Sequence, residues 1–259
     1  DWAGIEAWQR DDRMLWVHLE RDSPEAAAWL TQRSGLDPVL AEALLADDTR
    51  PRVDSGEDSL LLFLRGVDHR VGAPDVDLVP IHIWATAQRV ISLRDAGHHL
   101  MALRDLREAL INGRGPRTSG ELIVGIADKV VRDVEPLLEE LDAEVDRLDE
   151  QTHDSASQDR RRELGALRRR AIELRRYLAP QREALHRLQL EEVSWLNRRD
   201  RLCLREITDR TIRFVESLDS VRDRATLLHE ELTAQLSEQI GRIASRLTAL
   251  SAILLPPSL

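Results

Sequence analysis

From Asp200 to Ala252 the chain contains no proline and only one glycine, Gly241, before the pair Pro256-Pro257. Over that stretch apolar residues recur at Ile207, Phe214, Leu218, Val221, Ala225, Leu228, Leu232, Leu236, Ile240, Ile243, Leu247, Leu250 and Leu254, with Thr211 filling one position. Steps of three and four place them on one seam of a single helix. At 1.5 Å per residue such a helix is about 80 Å long. A compact domain of this chain length is about 40 Å across. The spacing therefore predicts a helix that outgrows its own domain and needs partner helices or a membrane to cover its seam.

The seam has an unusual tip. The last charged residues are Glu230, Glu231, Glu238, Arg242 and Arg246, and Leu247 to Leu259 carries none. Thirteen uncharged residues fall short of the roughly 20 that cross a bilayer. At 100° per residue Glu230, Ala234, Ser237, Gly241, Ala244, Thr248, Ser251 and Leu255 share a second stripe of small, weakly polar side chains. A pore wall needs such a stripe; a solvent face with short side chains fits the pattern equally well.

The rest of the chain divides in character. Residues 1–114 alternate strand and helix signals, residues 115–198 read as a helical hairpin region, and residues 199–259 form the long stalk helix. Strands are predicted at Arg13–Leu19, Ser59–Val67, Leu78–Ala85 and Arg89–Leu93 from apolar runs bounded by turn residues. Ser23-Pro24 and Asp37-Pro38 each supply an N-cap followed by proline in the first turn, so helices start there. A further helix covers Leu100–Ile111, and Gly113-Arg114-Gly115-Pro116 is a linker. Beyond it a helix is predicted from Thr118-Ser119 to about Leu148, mildly kinked at Pro136. After a polar break at Thr152–Gln158 another helix follows, with Pro180 inside it. The fold class is α+β: an N-terminal α/β/α sandwich followed by helices ending in the stalk.

Composition narrows function. The net charge is −10, which argues against nucleic acid and suits a surface that gathers cations. Asp219, Asp223, Glu230, Glu231 and Glu238 are the candidate cation-attracting acids of the stalk. Cys203 is the single cysteine, so no disulfide forms within the chain. None of the eight histidines has the i, i+4 spacing of a closed zinc site. His98-His99 is the one histidine cluster, and with Cys203 it supplies the candidate metal ligands. No phosphate-binding loop, dinucleotide fingerprint or nucleophile–base motif is present, so the chain reads as no enzyme and as carrying no covalent cofactor.

Several segments together resemble the CorA superfamily of cation transporters, and among them the zinc-transporting ZntB branch. They are Trp16-Val17-His18-Leu19, Ser23-Pro24-Glu25-Ala26 with Trp29-Leu30, Ser34-Gly35-Leu36-Asp37-Pro38, Glu42-Ala43-Leu44-Leu45-Ala46, Thr49-Arg50-Pro51-Arg52, Leu64-Arg65-Gly66-Val67, Ile83-Trp84, Arg89-Val90-Ile91-Ser92-Leu93-Arg94 and Gly115-Pro116-Arg117-Thr118. The resemblance implies the cytoplasmic funnel domain of an inner-membrane homopentamer that moves divalent cations, zinc foremost. It also implies a chain that stops inside its first transmembrane helix. By the same likeness Ala244, Leu247, Leu255 and Ser258 match pore-facing positions and Glu230 an acidic position at the funnel neck, although Leu247 also falls towards the apolar seam. Ser237, Gly241, Thr248 and Ser251 join them on the small stripe. A magnesium or cobalt channel of the same superfamily, and a soluble coiled-coil scaffold, are the competing readings.

Overall fold

The computed structural model describes residues 2–8, 14–47, 50–68, 78–152 and 158–254. By contacts the chain forms two compact units, one of residues 1–137 with 174–215 and one of residues 138–173 with 216–259.

The first unit is built on a five-stranded sheet: β1 (Leu15–Glu20), β2 (Arg52–Gly56), β3 (Ser59–Val67), β4 (Leu78–Ala85) and β5 (Arg89–Arg94), in the order β1-β5-β4-β3-β2. β1 runs parallel to β5 and every other pair is antiparallel. β3 and β4 are buried along almost their whole length, as strands covered on both faces must be. Val17, Phe63 and Leu93 turn to one face, where they pack with Trp29 and Leu30 of α2 (Pro24–Gln32) and Leu44 of α3 (Pro38–Leu45). The opposite face meets α4 (Met101–Ile111) and α5 (Ser119–Arg132); at Gly66 a Cβ would lie 2.8 Å from Leu100 and 3.7 Å from Val130. The α/β/α sandwich is thus present.

The helix starts fall where their caps were read: Ser23 Oγ accepts from Ala26 N, Asp37 Oδ1 accepts from Val39 N, and Thr118 Oγ1 accepts from Glu121 N. Pro80 is accommodated by register. It opposes Arg65 on β3, whose N–H donates to Gln181 Oε1 at 2.7 Å rather than across the pair. The pair is therefore of the non-hydrogen-bonded kind, and the missing N–H of Pro80 faces the β5 side, where pairing begins only at Ile81. At the β2–β3 hairpin Asp58 holds φ +53°, a conformation that Asp tolerates. Its carboxylate accepts from Ser194 N and Oγ, which anchors the hairpin tip to the turn preceding the long helix.

Three expectations need correction. α1 (Trp2–Ala7) and β2 were not anticipated. The predicted helix 118–148 is two helices, α5 and α6 (Glu135–Thr152), separated at Asp133-Val134. A proline ring clashes with the carbonyl four residues back, and four before Pro136 is Arg132, the last residue of α5. Leu138 is consequently buried, and Leu137 is only half-buried. By contrast α7 (Gln158–Leu190) continues through Pro180 without interruption.

α8 (Arg198–Leu254) runs for 57 residues without a break. Asn197 caps it, its Oδ1 accepting from Arg199 N and Asp200 N, while Asp200 Oδ2 accepts from Asn197 N in return. Burial raises the Asp200 pKa above the usual carboxylate range. This cap packs on α5: a Cβ at Gly120 would lie 2.3 Å from Asp200 Oδ2 and 3.1 Å from the Trp195 carbonyl oxygen.

Gly120→Ala is expected to lower stability by about 1–3 kcal/mol through overpacking. Gly165→Ala, where the nearest atom is Arg169 Nη1 at 3.6 Å, is expected to raise it by about 0.5–1 kcal/mol. Urea unfolding midpoints of the two variants should move in opposite directions. A Gly120→Ala midpoint equal to wild type would contradict the packing described.

Candidate functional site

α8 changes its surroundings along its length. Ile207, Thr211 and Phe214 are buried in the first unit. In the second unit Leu218, Val221, Ala225, Leu228 and Leu232 are buried together with Leu141, Val145 and Leu148 of α6 and Leu164, Leu167 and Ala171 of α7. Polar clamps flank that core: Arg224 pairs with Asp146 and Asp149, Ser217 donates to Asp142, and Arg170 bridges Glu140 and Glu144. Past Leu232 the cover ends. Ile240, Ile243, Leu247 and Leu250 continue the same seam, yet each is between 54% and 66% exposed.

The small stripe is exposed as well. Glu230, Ser237, Gly241, Ala244, Thr248 and Ser251 all face outward. Ser237 and Thr248 donate their hydroxyl hydrogens back to the carbonyls of Thr233 and Ala244, four residues earlier. This leaves hydroxyl lone pairs on the outer surface and no reactive constellation. Leu255 and Ser258 lie outside the described residues.

The acids of the stalk are less available than their number implies. Arg222 pairs with Asp219 at 2.9 Å and with Asp223 at 2.8 Å, and the Asp223 hydrogen bond raises the Arg222 pKa. Glu238 pairs with Arg242 at 2.6 Å. Glu230 and Glu231 have no ion pair among the described residues; Gln235 donates to Glu231 at 3.3 Å. Adjacent in sequence and exposed, these two concentrate uncompensated negative charge on the stalk.

The metal candidates separate. Cys203 is half-buried in the first turns of α8. His98 and His99 sit just before α4, anchored by the buried Asp68: His98 Nδ1 donates to Oδ2 at 2.7 Å, and the His99 amide donates to Oδ1 at 2.9 Å. Among the described residues no three His, Cys, Asp or Glu side chains converge as a metal site. Instead His98 and His99 line an open cleft of about 970 Å³, bounded also by His18, Arg94, Arg104, Arg107, Glu108 and the apolar side chains of Leu100, Met101, Leu103 and Ile111. His82, by contrast, is buried on the other sheet face, donating Nδ1–H to the Leu44 carbonyl at 2.7 Å.

The cleft residues His18 and Arg107 were not legible as a site. Register explains the first: β1 places His18 opposite Ser92 on β5. Ser92 Oγ accepts from Trp16 Nε1 at 2.8 Å and lies 2.9 Å from His18 Nδ1. Burial first, then the Arg94 charge, pushes the His18 pKa down to about 4.

Set beside known proteins, the chain falls into a family of transporters. The family model described as CorA-like Mg2+ transporter protein matches residues 11–259, and the chain belongs to that family. Its relatives include the divalent cation transporter CmaX of Pseudomonas aeruginosa, 37% identical over 250 residues that cover 95% of this chain and 74% of that protein. They include also the zinc transport protein ZntB of Yersinia enterocolitica, 30% identical over 245 residues, with the same two shares of 95% and 74%. The structure of full-length CmaX superposes with a TM-score of 0.86 at 34% identity, over 98% of this chain and 81% of that one. The cytoplasmic domain of ZntB from Vibrio parahaemolyticus shares the fold, with a TM-score of 0.76 at 21% identity, over 89% of this chain and 93% of that one. Among the described residues no helix is long and apolar enough to cross a membrane.

His18 gives the first unit a defined acid sensitivity. Its pKa is about 4 in the fold against 6.5 in the free side chain, so below pH 6.5 the unfolded chain takes up a proton that the folded chain refuses. Stability contributed by neutral His18 is complete above pH 6.5 and is lost as pH falls towards 4. In His18→Gln the urea midpoint should fall less steeply than wild type across that interval. Parallel curves would contradict the assignment.

Proposed function

We propose that this chain is the cytoplasmic funnel domain of a homopentameric inner-membrane transporter of divalent cations, with zinc as the cargo. The observation that carries the reading is the loss of cover along α8: one apolar seam, buried through Leu232, is bare at Ile240, Ile243, Leu247 and Leu250. A helix with its seam in water is incomplete, and copies of the same helix are the simplest complement to a repeating three-four pattern. The names of CmaX and the ZntB proteins supply the cation and its divalent charge.

In such a ring the seams pack against neighbouring copies and the small stripe turns inward. Glu230, Ser237, Gly241, Ala244, Leu247, Thr248 and Ser251, with Leu255 and Ser258 beyond the described residues, then line the path. The side chains at Ser237, Gly241 and Ala244 are short enough to leave room for a hydrated ion, which a wall of Leu would not. Five copies of the Glu230-Glu231 pair form an acidic ring that raises the local cation concentration. No bond to the cargo is made or broken. Leu247, between seam and stripe, is the position where a small rotation of α8 would close an apolar constriction.

The test is zinc entry into liposomes carrying the native gene product and a trapped zinc-sensitive dye. Zinc uptake is expected, with a pentamer by native mass spectrometry. Gly241→Leu, which fills the stripe, should cut the initial rate at least about tenfold. Ile172→Ala, at an exposed α7 position outside the stripe, should leave it unchanged. Uptake of magnesium or cobalt without zinc would overturn the cargo. A monomer that moves no ion would favour the scaffold reading.

A further inference from the structure

The cleft at the β1 edge of the sheet has no role in the funnel reading. It gathers three arginines and three histidines around one cavity in a chain of net charge −10. Its arginines are unequal. Arg94 is committed to Glu20 at 2.8 Å and to the carbonyls of Asp95 and His98. Arg104 is paired with Glu108 at 3.0 Å. Arg107 lines the same cleft, near enough to His18 to depress its protonation, and has no carboxylate within ion-pair distance among the described residues. His18 lines the same cleft from β1, its ring held by a 2.9 Å contact between Nδ1 and Ser92 Oγ. Leu100, Met101, Leu103 and Ile111 supply an apolar wall beside them.

We infer that this cleft binds a small organic phosphate, its anionic head on Arg107 and His18 and its apolar body against Leu103, Met101 and Ile111. The sign of the charge decides against a metal ion. The nearby carboxylates of Glu20, Asp68 and Glu108 are already engaged by Arg94, His98 and Arg104, so a dication entering between His98 and His99 would meet the unmatched Arg107. A phosphate dianion meets an unpaired guanidinium whose forked N–H groups match its oxygens. The phosphate is favoured over a carboxylate by donor placement: Arg107 on α4 and His18 on β1 approach from different elements, and three terminal oxygens satisfy both more readily than two. A cleft of about 970 Å³ accommodates a body well beyond the head group. The site lies wholly in the first unit, so it stands or falls independently of transport.

The test is calorimetric titration of the chain with phenyl phosphate, inorganic phosphate, benzoate and zinc chloride. Phenyl phosphate is expected to bind saturably, about tenfold more tightly than inorganic phosphate, which lacks the body, and more tightly than benzoate. Arg107→Ala should weaken phenyl phosphate about tenfold, with Arg107→Lys falling between. Glu108→Gln should strengthen it, because it removes a carboxylate from the cleft wall and releases Arg104; a cation site would weaken instead. Both positions are exposed on α4, so folding is not at risk, and circular dichroism checks it. Tighter binding of zinc that is lost in His98→Ala/His99→Ala would overturn the proposal. So would tighter binding of benzoate, phenyl phosphate affinity unchanged in Arg107→Ala, or no saturable binding of phenyl phosphate.

Discussion

A single α-helix satisfies its own backbone but cannot shield its own side chains from water; an apolar seam is hidden only by something else. α8 keeps one such seam over 57 residues. Within the first unit it is covered around Ile207 and Phe214, and within the second it is covered by α6 and α7 as far as Leu232. Beyond that the pattern persists while the cover does not. Each exposed Leu or Ile forgoes about 1.5–3 kcal/mol of burial, so four in register amount to a demand for a partner. The transporter reading answers that demand with copies of the same helix.

Electrostatics in this protein are decided by which charges remain uncompensated. Asp219, Asp223 and Glu238 of α8 are matched by nearby arginines, and such exposed pairs contribute little to stability while weakening the field that a count of acidic residues implies. Glu230 beside Glu231 on the stalk and Arg107 in the cleft have no ion-pair partner among the described residues. The first suits a cation path and the second an anion site, and the two lie in different units. Surplus charge of opposite sign is thus kept apart within one acidic chain.

Much of the architecture was legible because it is locally encoded. Ser23-Pro24 and Asp37-Pro38 started their helices as read, and the apolar runs of β3 and β4 became the two buried strands. β2 escaped because it is an edge strand whose sequence, RVDSG, buries only Val53. Pro136 was read as a kink because periodicity ran through it; its clash falls on the carbonyl of Arg132, where α5 ends. The stalk was visible as a pattern of threes and fours. The cleft was not, because it depends on a pairing of His18 with Ser92, 74 residues apart, and on α4 returning to the β1 edge. No local spacing records such a meeting. The sequence pointed to His98-His99 for their chemistry as ligands; in the fold both are anchored by Asp68 at the edge of the cleft.

The central claim is that α8 beyond Leu232 is covered on its seam and open on its stripe. Single cysteines placed from Thr233 to Ser251 in a Cys203→Ser background, within the native gene product in membranes, test it through reaction with a small, charged thiol reagent. The account predicts protection at Ile240, Ile243 and Leu250 and fast labelling at Ser237, Gly241, Ala244 and Thr248. Equal labelling around the helix, or labelling of the seam with protection of the stripe, would contradict it.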